Sequence, residues 1–193
     1  MSKIIASLIL KIFGWHTTDF PNIDKCVVGV APHTSMWDFL WGRVFLVSKS
    51  IKPKILIKKE MFTFPLGTIL KGLGGVPVDR SKPKGLTDMV VNKMKSSDKF
   101  VVAITPEGTR AKTNNWKKGF IHIARAADVP IVVGFIDYKN KKLGVLDIMS
   151  ADGDVEDIMC KFKAYYKNIK GKHPERFDYG HNRKETQNKF SAE

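Results

Sequence analysis

Short apolar runs rich in valine and isoleucine alternate with segments of helical spacing along most of the chain. Four of these runs lie at 27–31, 54–58, 101–105 and 131–137. A parallel strand that is buried on both faces has this composition, and it needs a crossover connection, usually a helix, before the next parallel strand. The alternation therefore predicts an α/β fold, with a single-domain layered sheet and helices on both faces. The 193 residues suffice for one such domain with a full hydrophobic core.

The helical segments and the turns between them predict how the chain is divided. We expect helices near 35–47, 85–97 and 116–127. A further helix should begin at Asp154, whose carboxylate can cap it, and continue to Ile169, because apolar residues recur there at helical spacing. Segment 142–149 is predicted to be the hairpin partner of strand 131–137. The chain then divides into an N-terminal helix and linker at 1–20, a core domain at 21–170 and a polar C-terminal tail at 171–193.

The opening segment, Met1 to Trp15, has an amphipathic helical pattern. Lys3, Ser7 and Lys11 fall on one narrow stripe, and apolar side chains cover the rest of the helix. The apolar run is far shorter than the roughly 20 residues of a spanning helix, and no small-residue cleavage site follows it. We expect a helix that lies in the membrane interface, or one that packs onto its own domain; the segment alone favours neither.

The charge balance restricts the partners of this chain. Thirty-three Lys and Arg residues against 19 Asp and Glu residues give a formal net charge of +14, which attracts anionic partners. Nucleic acid, anionic lipid and phosphorylated substrates all qualify, although scattered lysines also serve solubility. Cys26 and Cys160 lie far apart and outside any metal-ligand spacing, so the sequence predicts neither a disulfide framework nor a metal site. A reducing cytosolic setting is expected.

The segment PHTSMWDF places a histidine and an acid at the end of a predicted strand. His33 follows the strand at 27–31, and Asp38 follows five residues later in the first turns of a helix. A neutral imidazole can take a proton from a hydroxyl, and a carboxylate on its other nitrogen fixes the tautomer. The pair predicts general-base chemistry in which the substrate supplies the hydroxyl. The alternative is a loop histidine beside an acid that the helix dipole favours.

Two further motifs follow predicted strands. PEGTR, at 106–110, comes after the strand at 101–105, and GGVPVDR, at 74–80, surrounds a short strand. Ligands of open α/β sheets bind at the carboxyl ends of strands, so Arg80, Arg110 and Glu107 could converge near His33. Guanidinium groups suit a phosphate. Backbone N–H groups beside Gly108 are candidate donors to an oxyanion.

The ordered blocks HTSMWD, GGVPVDR, PEGTR and VPIVV resemble those of the glycerolipid acyltransferase family, typified by lysophosphatidic acid acyltransferase. The resemblance spans about 27–138, and it implies a glycerophosphate-acyltransferase-like α/β fold. Pro77 and Val133 depart from the usual pattern, in which Phe and Pro stand at these positions. The resemblance implies that His33 and Asp38 are catalytic. It implies that the acceptor and its phosphate are bound by Arg80, Glu107, Gly108, Thr109 and Arg110, and that candidates for the acyl groove are Trp37 and Pro130.

The sequence therefore predicts an acyltransferase domain at 21–170 that moves a fatty acyl group to the hydroxyl of a lysophospholipid-type acceptor, 1-acylglycerol 3-phosphate being the expected one. The donor would be acyl-CoA or acyl-carrier protein, with no cofactor and no metal. We expect a peripheral, monotopic protein at the cytoplasmic face of an anionic membrane, without a nucleic-acid partner. The alternatives are another lipid or a non-lipid hydroxyl or amine acceptor, thioester hydrolysis, a non-catalytic lipid-binding protein, or a basic nucleic-acid-binding module.

Overall fold

One seven-stranded sheet organises the chain in the computed structural model, which describes residues 1–78 and 83–180. The strand order is β1-β7-β6-β2-β5-β3-β4. Strands β6, β2, β5, β3 and β4 are parallel to one another, whereas β7 is antiparallel to β6 and pairs in parallel with β1 at the edge. The strands are β1 His16–Thr17, β2 Lys25–Ala31, β3 Lys54–Lys58, β4 Gly75–Val78, β5 Phe100–Ile104, β6 Ile131–Asp137 and β7 Lys142–Met149.

Helices cover the two faces of this sheet. They are α1 Lys3–Ile12, α2 Trp37–Ser48, α3 Leu66–Gly72, α4 Pro83–Lys95, α5 Gly119–Ala127 and α6 Val155–Ala164, with single 3-10 turns at Lys59–Met61 and Pro174–Arg176. Apolar residues of α4, α5 and α6 form one core with the sheet, and those of α1 and α2 form another. This arrangement confirms the predicted α/β layers with helices on both faces.

Strand β2 lies in the middle of the sheet, and helices cover both of its faces. Five of its seven residues are buried, as expected for a parallel strand between two helical layers. A side chain at Gly29 would place a Cβ only 2.6 Å from the Phe162 ring, so a glycine is needed for α6 to pack this closely. The Tyr166 hydroxyl then donates to the carbonyl oxygens of Gly29 and Gly134, at 3.3 and 2.8 Å, and ties α6 to both β2 and β6.

Two of the predicted elements differ clearly from the observed ones. Residues 16–17, predicted as linker, form β1, because the His16 N–H donates to the Lys141 carbonyl at 2.8 Å. The last helix begins as predicted, with the Asp154 carboxylate accepting two backbone N–H groups, but it ends at Ala164 instead of Ile169. The segment after it continues through turns, since the Tyr166 and Ile169 N–H groups bond three residues back. Segment 142–149 is the antiparallel partner of β6, as predicted.

Helix α1 packs on α2 through a narrow buried strip. Only Ala6 and Leu10 of its ten residues are buried. Opposite this strip the helix exposes an apolar face, with Ile4 at 78% exposure. Within 1–78 and 83–180, no helix is long and apolar enough to cross a bilayer.

Candidate active site

The carboxyl ends of three adjacent strands bring the candidate site together. Strand β2 lies between β5 and β6, and all three are parallel. The loop after β2 carries His33, the loop after β5 carries Glu107, and Tyr138 directly follows β6. Parallel neighbouring strands end at the same edge of a sheet, so these segments meet there although they are far apart in sequence.

His33 and Asp38 face each other across the β2–α2 loop. The His33 Nδ1 atom lies 3.3 Å from Asp38 Oδ2, and the His33 side chain keeps 20% of its surface exposed. The separation permits electrostatic contact, but Nδ1 makes no hydrogen bond with correct angles to any described residue. Such bonds are often long in unliganded enzymes and shorten when substrate binds. Because Nδ1 faces Asp38, the Nε2 atom is the one available to a substrate.

Asp38 is held firmly in place by several donors. Its Oδ2 atom accepts the backbone N–H groups of Thr34 and Ser35, both at 2.8 Å. Its Oδ1 atom accepts the hydroxyl of Tyr138 at 2.7 Å. The side chain is almost fully buried, and the three donors engage both of its oxygens. The acid is therefore fixed in the orientation that faces His33.

Glu107 anchors the backbone of His33. The His33 N–H donates to both carboxylate oxygens of Glu107, at 2.9 and 3.1 Å. Only 5% of Glu107 is exposed. The pKa of Glu107 is raised to about 8, mainly by burial; the hydrogen bond from His33 opposes the rise, and the negative charge of Asp38 adds to it. Glu107, which was predicted to bind the substrate, therefore supports the His33 loop in the structure.

The last three residues of PEGTR lie at the surface. Gly108 adopts a positive φ of 65°, and its N–H donates to the Thr105 carbonyl at 3.1 Å. That N–H is therefore used within the turn, and the N–H groups beside Gly108 stay the predicted oxyanion donors. Thr109 accepts the Ala111 N–H through its hydroxyl, and Arg110 is exposed. Arg80, the other predicted phosphate ligand, lies outside the described residues.

The two acyl-groove candidates lie at opposite ends of the sheet. Trp37 begins α2 beside the His33 loop, is half exposed and stacks on Trp41 with ring centroids 6.5 Å apart. The carbonyl of Pro130 accepts the Val27 N–H at the amino end of β2. Four strand residues, roughly 13 Å, separate Val27 from the carboxyl end of β2. The structure brings Trp37 to the site and does not bring Pro130 there.

Two contributions to the site were not predicted. Tyr138 binds Asp38, and the signal for it was its position directly after a central strand. The segment 170–173, placed partly in the polar tail, packs on the His33 loop: the His173 N–H donates to the Thr34 hydroxyl at 3.2 Å, and the Lys172 ammonium lies 4.9 Å from the centre of the Trp37 ring. Its polar composition gave no signal for this contact. Residues 181–193 of the predicted tail lie outside the described residues.

Comparison with known proteins identifies the family. A family model described as acyltransferase matches residues 16–135, which include the His33 loop and PEGTR. The chain belongs to this acyltransferase family. The match covers more than half of the 193 residues and ends just before Tyr138. The resemblance that the sequence motifs indicated is confirmed.

Several relatives within the family carry the name 1-acyl-sn-glycerol-3-phosphate acyltransferase. The protein from Streptococcus pneumoniae is 34% identical over 138 residues, which are 67% of this chain and 50% of that protein. The protein from Cocos nucifera is 34% identical over 112 residues, which are 53% of this chain and 34% of that protein. The chain spans half or less of the length of these relatives.

A solved structure supports the fold. The 1-acyl-sn-glycerophosphate acyltransferase PlsC from Thermotoga maritima matches with a TM-score of 0.57 over 88% of this chain and 80% of that chain. The two sequences are 17% identical. The match therefore supports the architecture of the sheet and helices alone.

Proposed function

We propose that the chain is an O-acyltransferase that moves a fatty acyl group from a thioester donor to the free hydroxyl of a lysophosphatidic acid. The observation that carries the proposal is the contact of His33 with a buried, multiply bonded Asp38 at the carboxyl edge of the sheet. Membership of the acyltransferase family supports the reaction class. The printed names of the relatives support the acceptor.

The proposed step is direct transfer. His33 Nε2 takes the proton from the acceptor hydroxyl, and the oxygen attacks the thioester carbonyl. The C–O bond forms, the C–S bond breaks, and the thiolate leaves with the proton that His33 held. Asp38 keeps the proton of His33 on Nδ1 and stabilises the imidazolium that forms in between.

Cys26 does not suit an alternative route through an acyl-enzyme. It lies on β2 within the core and is fully buried. Burial raises the pKa of its thiol to about 12, so the thiolate that would act as nucleophile is scarce at neutral pH. The acceptor itself is therefore the nucleophile in our proposal.

A product assay tests the proposed function. Purified protein is incubated with lysophosphatidic acid and either acyl-CoA or acyl-carrier protein, and the products are identified by mass. We expect phosphatidic acid and the free thiol in equal amounts, with one donor used faster than the other. Free fatty acid in place of phosphatidic acid would indicate a thioester hydrolase, and no turnover with any lyso-acceptor would contradict the proposal.

We also propose that the protein binds the surface of an anionic membrane through two exposed apolar patches. The α1 patch consists of Ile4, Ile5, Leu8 and Ile12, which are all more than half exposed. The α3 patch lies after the carboxyl end of β3 and consists of Met61, Phe64, Leu66 and Ile69, with Phe64 91% exposed. Lysines border both patches, which suits a negatively charged interface. The lysines are Lys3 and Lys11 beside the first patch, and Lys58, Lys59 and Lys71 beside the second.

Replacing Leu8 with aspartate should reduce binding to phosphatidylglycerol vesicles by roughly tenfold or more, because burial of a leucine stabilises by about 1.5–3 kcal/mol. The measurement is sedimentation with vesicles. Leu146→Asp provides the matched control, since Leu146 is an exposed leucine on β7 outside both patches. Equal losses in the two variants, or unchanged binding of Leu8→Asp, would contradict the α1 patch.

A further inference from the structure

Tyr138 makes a contact with Asp38 that none of the sequence motifs includes. Its hydroxyl donates to Asp38 Oδ1 at 2.7 Å, across 100 residues of sequence. The other carboxylate oxygen, Oδ2, faces His33 and accepts two backbone N–H groups. Each oxygen of the acid thus has its own partners, and Tyr138 is the side chain that engages Oδ1.

The surroundings of Tyr138 hold its ring in place and keep its hydroxyl protonated. The edge of the ring meets Trp15, with centroids 5.2 Å apart and planes at 80°. Its backbone N–H donates to the Lys170 carbonyl at 2.9 Å. Burial raises the pKa of the Tyr138 hydroxyl well above its usual range, and the hydrogen bond to Asp38 and the charge of Asp38 raise it further. The hydroxyl is therefore a donor to Asp38 at every physiological pH.

We propose that Tyr138 is a positioning residue for acyl transfer: its hydroxyl holds Asp38 Oδ1, so that Oδ2 stays directed at His33 Nδ1. The inference rests on the proposed function for its effect on turnover. Tyr138 does not touch the reacting atoms, and it acts through the orientation and the charge distribution of the carboxylate. Without the hydroxyl, Asp38 can rotate, and Oδ2 is no longer held facing His33 Nδ1.

Charged and titratable groups also lie on the elements packed around Asp38, and they bear on any titration of His33. Glu107 lies on the other side of the His33 loop, and Lys141 stands 5.0 Å from the Trp15 ring centre. Further titratable groups on the described segments next to the site are Asp137, Lys170, Lys172 and His173. Replacing Tyr138 with phenylalanine alters none of these groups. A difference in the His33 titration midpoint between that variant and the parent therefore results from the loss of the hydroxyl.

Tyr138→Phe tests the role, because the ring and its contact with Trp15 remain. A hydrogen bond to a charged group contributes about 1.5–3 kcal/mol, which corresponds to roughly 10–100-fold in rate. We expect kcat to fall by this factor while KM for donor and acceptor changes less than about twofold. The matched control is Tyr165→Phe, which removes a tyrosine–aspartate hydrogen bond to Asp147 on β7. The control should keep its kcat.

An NMR titration of the His33 ring separates the role of Tyr138 from the proposed function. In Tyr138→Phe, the midpoint should move to lower pH than in the parent, because a carboxylate that is no longer held facing Nδ1 stabilises the imidazolium less. Tyr165→Phe should leave the midpoint unchanged. An unmoved midpoint in Tyr138→Phe, an unchanged kcat, or the same loss in both variants would overturn the proposal. A parent protein without transfer activity would refute the proposed function, and the midpoint would still decide whether Tyr138 acts on the pair.

Discussion

Replacing His33 with alanine is expected to reduce acyl transfer by roughly 1,000-fold and to leave the fold unchanged. A positioned general base contributes about 10²–10⁴-fold, and His33 is the group whose Nε2 atom is available to the acceptor hydroxyl. The Glu107 bond goes to the backbone N–H of residue 33, which alanine retains. The loop therefore keeps its anchor, and the loss should appear in kcat. The measurement is initial rate with lysophosphatidic acid and the preferred donor.

His122→Ala is the control for the His33 variant. His122 is an exposed histidine on α5 and takes no part in the hydrogen bonds described around His33 and Asp38. It should retain the parent rate, and circular dichroism and the thermal midpoint should be the same for all three proteins. Near-parental turnover in His33→Ala, with the fold intact, would exclude His33 as the base.

The contact between His33 and Asp38 could be predicted because it is local. A buried strand, a short loop and a helix start fix where His33 and Asp38 lie, and five residues of spacing bring them to one side of the loop. The sheet was predictable for a related reason, since a strand such as β2 has an apolar pattern that follows from its burial. Both features depend on residues that are close in sequence.

The supports of the site could not be predicted because they join distant segments. The bond from His33 to Glu107 spans 74 residues, and the bond from Tyr138 to Asp38 spans 100. PEGTR suggested a ligand for the substrate, because it follows a predicted strand at the edge where ligands bind and resembles a block of the acyltransferase family. The order of the strands buries Glu107 instead. Because β5 lies directly beside β2, Glu107 in the loop after β5 is buried against the His33 loop.

The sequence left open whether the first helix binds a membrane or its own domain. The structure shows that a narrow strip suffices for packing on α2, because Ala6 and Leu10 supply the buried contact. Small and medium side chains let the two helices approach closely, and the larger apolar residues remain on the opposite side. The helical pattern could not distinguish membrane binding from packing on α2, because the apolar residues cover enough of the helix surface for both contacts.

Glu107 makes stability fall as pH rises, and the sign follows from proton binding. Its pKa is about 8 in the folded protein, against 4.5 for an ordinary glutamate. Between these two values the unfolded chain releases the proton and the folded protein keeps it, so unfolding becomes easier by about 1.4 kcal/mol per pH unit. The stabilisation is complete below about pH 4.5 and is lost as pH rises through 8.

Glu107→Gln should remove this loss, because the amide oxygen still accepts the His33 N–H and the side chain no longer ionises. Between pH 4.5 and 8.5, the free energy of unfolding should fall by on the order of 3–5 kcal/mol less in the variant than in the parent. Urea unfolding at a series of pH values measures the two slopes. Glu156→Gln, which removes an exposed carboxylate paired with Lys118, should keep the parental slope. Parallel slopes for parent and Glu107→Gln would show that Glu107 is ionised in the folded protein at neutral pH, and the carboxylate would then hold His33 as an anion.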